Sequence, residues 1–404
     1  MMNHTGSNGN YVLPHKQEEL EEYQVKQVQL IVRHGTRYPV HSGMVAINDA
    51  LEILRTSSNR ALVGWIDEYH NDYLFRRTGQ LDLHGQHELY LMGRRFANRH
   101  QEFVEALVDQ DILTTQMQVS ASWSSRTLQS AYAFCLGAFE QIGTLGLSKV
   151  IPVPIFSQSK QNDSLIAPHK CCPKWQKEAK PSTAYHMAPV VNRYVIPIAQ
   201  RLGDELALPI AVADVLNFFD ACTSDVALKH TVDTFCKLFT KQDILELEYI
   251  DDLKHYYKYS YGLPDLNSDM ACDLVKSILQ NIDEMDNHPD TATKFDLKAG
   301  HSETLLPLRY FLGLHKDHEK LSQNTTDKQI EERLYRLSNF GFFANNIAFE
   351  LLVHKYTKQK AIRVLENEVP IQLPGFNKTV ITLKQFRSFI EPKLQCNFTS
   401  FCAL

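Results

Sequence analysis

The chain of 404 residues predicts an α/β fold: a central, mostly parallel sheet flanked by helices, with a smaller helical lobe inserted into it. Three observations carry this expectation. Apolar residues alternate toward a cationic or imidazole side chain at three places, each followed by a helical pattern. These are Val28, Leu30 and Val32 before Arg33 and His34, Met117, Val119 and Ala121 before Arg126, and Phe295 and Leu297 before His301. Between the second and third units strand signals are scarce and helical stretches follow one another. The length also exceeds what one core usually serves, which points to two lobes.

In order, the first unit is a strand over 24–32. Residues 40–77 read as irregular or short-helical surface. The second unit has a strand over Met117–Ala121 and a helix over Thr127–Phe139, with Ser124 or Ser125 suited to cap it. Residues 150–182 again read as irregular or short-helical. From Thr183 to Met285 the pattern is helical, with breaks expected at Gly203, around Leu208 and Pro209, and at Gly262–Pro264. The third unit leads to a helix near Thr304–Gly313. A mixed segment at Gln329–His354 follows, then a hairpin of Ile362–Leu365 and Val369–Leu373 turned at Glu366–Glu368. The expected organisation is an α/β domain from 21–155 and 286–404 with an inserted, mostly helical lobe at 156–285.

The densest chemical information lies in Ile-Val-Arg-His-Gly-Thr-Arg-Tyr-Pro at residues 31–39. Arg33 and Arg37 bracket His34, and Gly35 leaves the backbone beside the histidine free of a Cβ. Guanidinium forks fit phosphate oxygens bidentately and stay charged at any working pH. An imidazole between two such forks can attack phosphorus while the arginines hold the equatorial oxygens. Placed at the carboxyl end of a strand, the motif sits where open α/β sheets bind ligands. Three strand–loop–helix units on one rim, with helix amino termini beside them, make a phosphate pocket.

The heptamer Arg-His-Gly-Thr-Arg-Tyr-Pro at residues 33–39 resembles the motif of the acid phosphatase and phytase branch of the histidine phosphatase superfamily. Gly-His-Ser-Glu-Thr-Leu-Leu-Pro-Leu at 300–308 is similar to the corresponding segment of the multiple inositol polyphosphate phosphatases, with Ser302 where alanine is usual. The likeness extends through Phe218–Leu228, Tyr249–Gly262 and the last two cysteines, and covers most of residues 25–402. It implies a histidine-phosphatase-like fold and a phosphomonoesterase acting on inositol polyphosphates and on 2,3-bisphosphoglycerate. By the same resemblance His34 is the nucleophile, His301 a hydrogen-bond donor to the phosphoryl group and Glu303 the acid that protonates the leaving alcohol. Arg33, Arg37 and Arg126 then bind phosphate, and neither cofactor nor metal is called for. The alternative is a broad-specificity histidine acid phosphatase. A polyphosphate also needs cations beyond these three arginines. Lys160, His169, Lys170, Lys174 and Lys177 are candidates, with Arg76, Arg77, Lys294 and Lys298 near the rim.

A net charge of −5 argues against a nucleic-acid partner, which requires a basic footprint. Protonating all 17 histidines would carry that charge to +12, so mild acidity favours polyanionic ligands. No stretch approaches the roughly 20 apolar residues of a membrane helix. Eight cysteines, with Asn-X-Ser/Thr sequons at Asn3, Asn162, Asn324, Asn377 and Asn397, point to the secretory pathway. The polar first twenty residues hold no apolar signal core, so any secretory leader is expected outside this sequence. Cys396 and Cys402 are close enough in sequence to close a small loop, and Cys222 and Cys236 to staple adjacent helices. Cys272 is within reach of Cys171 or Cys172, and Cys135, in an apolar helical run, reads as a buried free thiol. No Cys-X-X-Cys pair suggests zinc.

Overall fold

The structure is a computed structural model that describes residues 6–11, 20–109 and 115–404; the sequon at Asn3 lies outside them. Among the described residues eight strands form one sheet: β1 (Tyr23–Arg33), β2 (Met117–Ala121), β3 (Phe156–Ser157), β4 (Phe295–Gly300), β5 (Asn346–His354), β6 (Lys360–Glu366), β7 (Val369–Ile371) and β8 (Val380–Thr382). Their order is β3-β2-β4-β1-β5-β6-β7, with β8 also on β6. The pairs β3–β2, β2–β4 and β4–β1 are parallel, and β5 to β8 extend the sheet antiparallel.

Both faces of the parallel part are covered, as parallel strands require. Val28, Leu30 and Val32 of β1 pack with Leu89, Met92 and Phe96 of the helix Leu83–Arg99 and with Phe134 of the helix Ser125–Phe139. Ile31 points the other way, into a core with Ile278, Leu305 and Phe386 from the helices Cys272–Asn287, Ser302–Leu312 and Leu383–Ile390. That second face also buries Gln27 and Gln29, whose amides are satisfied by the carbonyls of Asn281, Thr293 and Ile278.

A third core belongs to the helices Pro173–Leu206, Val212–Lys229 and Lys241–Tyr259, and it also takes Met44, Ile47 and Leu51 from the helix His41–Arg55. Two local expectations are corrected here. The segment 40–77 contains a 15-residue helix rather than only short ones. Gly203 does not break its helix, which begins at Pro173, inside the segment expected to be irregular, and runs through Gly203 to Leu206. It stops where Ala207 takes a left-handed conformation and returns its N–H to the Gly203 carbonyl. The hairpin turns at Asn367 and Glu368, both at positive φ (50° and 67°), as a two-residue connection demands.

Cys222–Cys236 forms as expected, and Cys135 is buried and free. The Cys396–Cys402 loop does not form, nor does a bridge from Cys272 to Cys171 or Cys172. Cys172 pairs with Cys402, and Cys272 with Cys396. The reason is the short helix Phe398–Cys402, capped by the Asn397 side chain, which turns the two terminal cysteines to different neighbours. Each ties the carboxyl-terminal segment to the start of a long helix, with loops closed over separations of 230 and 124 residues. Non-reducing peptide mapping should therefore recover these three bridges with Cys135 and Cys171 free. Replacing both Cys272 and Cys396 with Ser should cost about 2–5 kcal/mol in denaturant unfolding, and a Cys396–Cys402 peptide would contradict the pairing.

Candidate active site

The strand ends of β1, β2 and β4 lie side by side, and the sequence units that follow them converge. The His34 N–H donates to the Gly300 carbonyl (3.0 Å), which locks the first unit to the third. Gly35 is required by packing: a Cβ there would lie 2.2 Å from the Gly85 carbonyl oxygen, and one on Gly85 would lie 2.1 Å from that of Thr36. Buried Glu88 holds the loop by accepting the Thr36 N–H (2.7 Å) and hydroxyl (3.0 Å). Gly300 is equally constrained, since a Cβ would sit 2.4 Å from Thr304 Oγ1. That hydroxyl accepts the His301 N–H (3.0 Å) and donates to the Ile166 carbonyl.

The His34 ring is 3% exposed, and its Nδ1 lies 2.9 Å from the Gly35 carbonyl oxygen. A carbonyl only accepts, so Nδ1 carries the proton and Nε2 keeps its lone pair. Burial first, then the positive charges of Arg126 and Arg33, hold this imidazole well below its ordinary value of 6.5. It is thus neutral in mild acid, as a nucleophile must be. Arg33 and Arg37 each spend Nη1 on backbone carbonyls: Ser7 (2.6 Å) and Gly341 (2.7 Å) for Arg33, Tyr38 (2.8 Å) for Arg37. The Nε atoms of Arg33, Arg37 and Arg126 are buried with no hydrogen-bond partner among the described residues. Burial and the neighbouring guanidinium groups push Arg33 down to about 9 and Arg37 to about 10. Charge of one sign is crowded here, and an anion relieves it.

His301 lies 5.5 Å from His34 between ring centres. Its Nδ1 accepts from Arg126 Nη2 (3.3 Å), so Nε2 carries the proton and donates to Ser122 Oγ (2.7 Å). Burial, with Arg126 and His169 adding to it against the pull of Glu303, pushes His301 down to about 3. In the free site its ring therefore orients Arg126, and it offers a donor to a phosphoryl oxygen only once Nδ1 is protonated. Glu303, near the amino terminus of the helix Ser302–Leu312, receives the Tyr259 hydroxyl at 3.5 Å. Burial opposes its ionisation, yet His169, His301, a backbone N–H and Arg33 together hold it well below the ordinary carboxylate range. Ser302 is buried and lines the same cavity.

All six residues singled out from the sequence, Arg33, His34, Arg37, Arg126, His301 and Glu303, line one cavity of about 350 Å³. Of the extra cations, His169 is brought in, with its ring 6.3 Å from that of His301, and Lys160 lies over Trp123, itself 5.8 Å from His301. Lys298 is instead buried against Asp296, and Lys294 faces a separate cavity at the opposite end of β4, so neither serves this pocket. Sequence reasoning missed Ser7, Asn8, Lys254 and His255, which do line it. The last two fall within Tyr249–Gly262, a stretch marked by its resemblance, whereas nothing marked Ser7.

Fold and site together define a histidine phosphatase. Residues 24–367 match the histidine phosphatase superfamily (branch 2), and the chain belongs to that family. It is 27% identical over 444 residues to multiple inositol polyphosphate phosphatase 1 of Dictyostelium discoideum, covering 95% of this chain and 69% of that protein. It is also 27% identical over 403 residues to the protein of that name from Gallus gallus, covering 94% and 84%. The crystal structure of the phytase from D. castellii shares the fold, with a TM-score of 0.78 at 18% identity over 99% of this chain and 86% of that one.

These buried imidazoles fix a stability dependence. His169 is pushed down to about 4, chiefly by burial, and His301 to about 3, while the unfolded rings titrate near 6.5. Below 6.5 the unfolded chain binds protons that the folded chain refuses, so stability falls as pH drops toward 4. His169 alone accounts for up to about 3 kcal/mol by pH 4. Thermal melts should show the fall, flatten it in His169→Asn, and flatten it again when inorganic phosphate supplies the missing negative charge. An unchanged slope in His169→Asn would contradict the account.

Proposed function

We propose that this chain hydrolyses the phosphate monoesters of inositol polyphosphates, inositol hexakisphosphate included, and of 2,3-bisphosphoglycerate, through a phosphohistidine at His34. One observation carries the reading: the Gly35 carbonyl pins Nδ1–H, which bares Nε2 among three arginines. In the first step Nε2 bonds to phosphorus and the ester P–O bond breaks. Glu303 passes its proton to the departing alkoxide, while Arg33, Arg37 and Arg126 hold the equatorial oxygens. In the second step water attacks phosphorus, Glu303 takes back a proton, and the P–N bond breaks to release phosphate. Glu303 is a carboxylate in the free site, so it must gain its proton as the phosphate dianion offsets the arginines.

The substrate class is supported by the names of the relatives and by Lys254 and His255 in the cavity wall, basic side chains beyond the three arginines of the kind a ligand with several phosphates needs. The same reading takes 21–155 and 286–404 as the phosphatase domain and 156–285 as the inserted lobe, with β3 and the helix Cys272–Asn287 at the ends of that span packing into the sheet domain instead. It places the protein in the secretory pathway, which three disulfides and the sequons favour.

His34→Ala should abolish turnover by several orders of magnitude, and rapid quenching of the wild type should trap an acid-labile phosphoenzyme. Glu303→Gln should cost about 10²- to 10⁴-fold on inositol hexakisphosphate, whose alkoxide needs a proton, and far less on para-nitrophenyl phosphate, whose phenolate leaves unaided. Equal losses on the two substrates would move the acid elsewhere. Turnover of the nitrophenyl ester without turnover of inositol hexakisphosphate would favour a broad acid phosphatase.

A further inference from the structure

Residues 6–11 are hydrogen-bonded to several separate places in the fold. The Gly9 carbonyl accepts from the Phe343 N–H (2.9 Å), and the Tyr11 N–H donates to Glu88 (3.1 Å). Asn8 Nδ2 reaches Thr223 in the helix Val212–Lys229 (3.4 Å). The tightest point is Ser7. Its N–H donates to Asp251 Oδ2 (3.0 Å), on the helix Lys241–Tyr259, and its carbonyl accepts from Arg33 Nη1 (2.6 Å). Gly6 makes the approach possible, since it sits at φ +55° and a Cβ there would lie 2.6 Å from the same Asp251 oxygen.

The consequence for Arg33 is geometric. Both protons of Nη1 are spent, on the Ser7 and Gly341 carbonyls, and the guanidinium plane lies over the Phe343 ring at 4.4 Å. The donors left are Nε, buried without a partner among the described residues, and Nη2. These two share one edge of the guanidinium, the edge that grips an anion bidentately. We propose that Asp251 is a positioning residue for phosphate binding: it clamps the Ser7 peptide, whose carbonyl turns the Nε–Nη2 edge of Arg33 toward the transferred phosphoryl group. This rests on the phosphatase reading of the site. Asp251 is suited to constant duty in acid. Although burial opposes its ionisation, His255, Lys254 and the Ser7 N–H hold it well below the ordinary carboxylate range. The groups facing it are His255 and Lys254 from its own helix, Asp220 from the helix Val212–Lys229 and Arg33 from β1.

A cycle of variants in the full chain tests this, read as kcat/KM for para-nitrophenyl phosphate and as the inhibition constant of inorganic phosphate. Asp251→Ala should lower kcat/KM about 10- to 100-fold and weaken phosphate inhibition in the wild-type background. In an Arg33→Ala background it should cost less than about twofold, because the group it orients is gone. Asp251→Asn keeps an acceptor for the Ser7 N–H and should retain most activity. Gly6→Ala should reproduce the Asp251→Ala loss by lifting the segment from an intact helix, and it carries the test if Asp251→Ala does not fold. Equal losses in the two backgrounds, or no loss from either variant, would overturn the proposal while leaving the phosphatase reading in place. Full activity in Arg33→Ala alone would instead overturn that reading.

Discussion

Arg33, Arg37 and Arg126 are held together around an imidazole that must stay uncharged, and most of the local architecture answers that demand. Like charges at this spacing repel, and burial strengthens the repulsion. The fold does not cancel it by pairing each arginine with its own carboxylate, which would close the site to phosphate. It tethers Arg33 and Arg37 through one nitrogen to neutral carbonyls, and leaves the carboxylates Glu303 and Asp251 to act on Arg33 without an ion pair to it. Neutral tethers fix direction without consuming charge. Burial first, and then the same charges that prepare the arginines for an anion, keep the His34 imidazole neutral.

Holding such a cluster in place needs rigid supports, and the parallel part of the sheet supplies them. β1, β2 and β4 are adjacent, with register running from Val28 opposite Phe295 to Arg33 opposite Gly300. Their ends therefore deliver three polar units to one rim. The glycines at 35, 85 and 300 are contact points where backbone meets a neighbouring backbone or hydroxyl at distances a Cβ would forbid. A methyl group at any of them would separate strand from helix and pull the arginines apart.

How much of this could be read from the sequence depended on the range of the interaction. Strand ends, the helices after them and the hairpin at Asn367 were legible, because periodicity and turn chemistry are local. That the six site residues meet in one cavity was legible from two short motifs for five of them and from a strand-to-helix unit for Arg126. The helix through Gly203 was not: one glycine is a weak breaker, and the packing of Val195, Ile198 and Leu202 around it decides the matter. The disulfides of Cys396 and Cys402 were misread for a related reason. Nearness in sequence favoured a pairing that a five-residue helix, visible only in three dimensions, turns aside. Ser7 left no trace in any pattern, since its contribution is a backbone carbonyl that every residue possesses.

On the proposed mechanism, the ionisation states make the acid and the substrate act as a pair. In the free site the surrounding cations keep Glu303 charged, so alone it has no proton to give. In that mechanism, a phosphate dianion between Arg33, Arg37 and Arg126 offsets part of that pull, and the carboxyl then binds a proton. His301 follows the same logic from the other side: neutral and facing Arg126 in the free site, it gains a proton, and a donor for the phosphoryl group, most readily beside an anion. His34 shares the field, but its Nδ1–H is already committed to Gly35, so Nε2 is the nitrogen left bare for the proposed attack. On this reading, binding one anionic group among the arginines favours a proton on both Glu303 and His301, while His34 keeps the protonation state it already has.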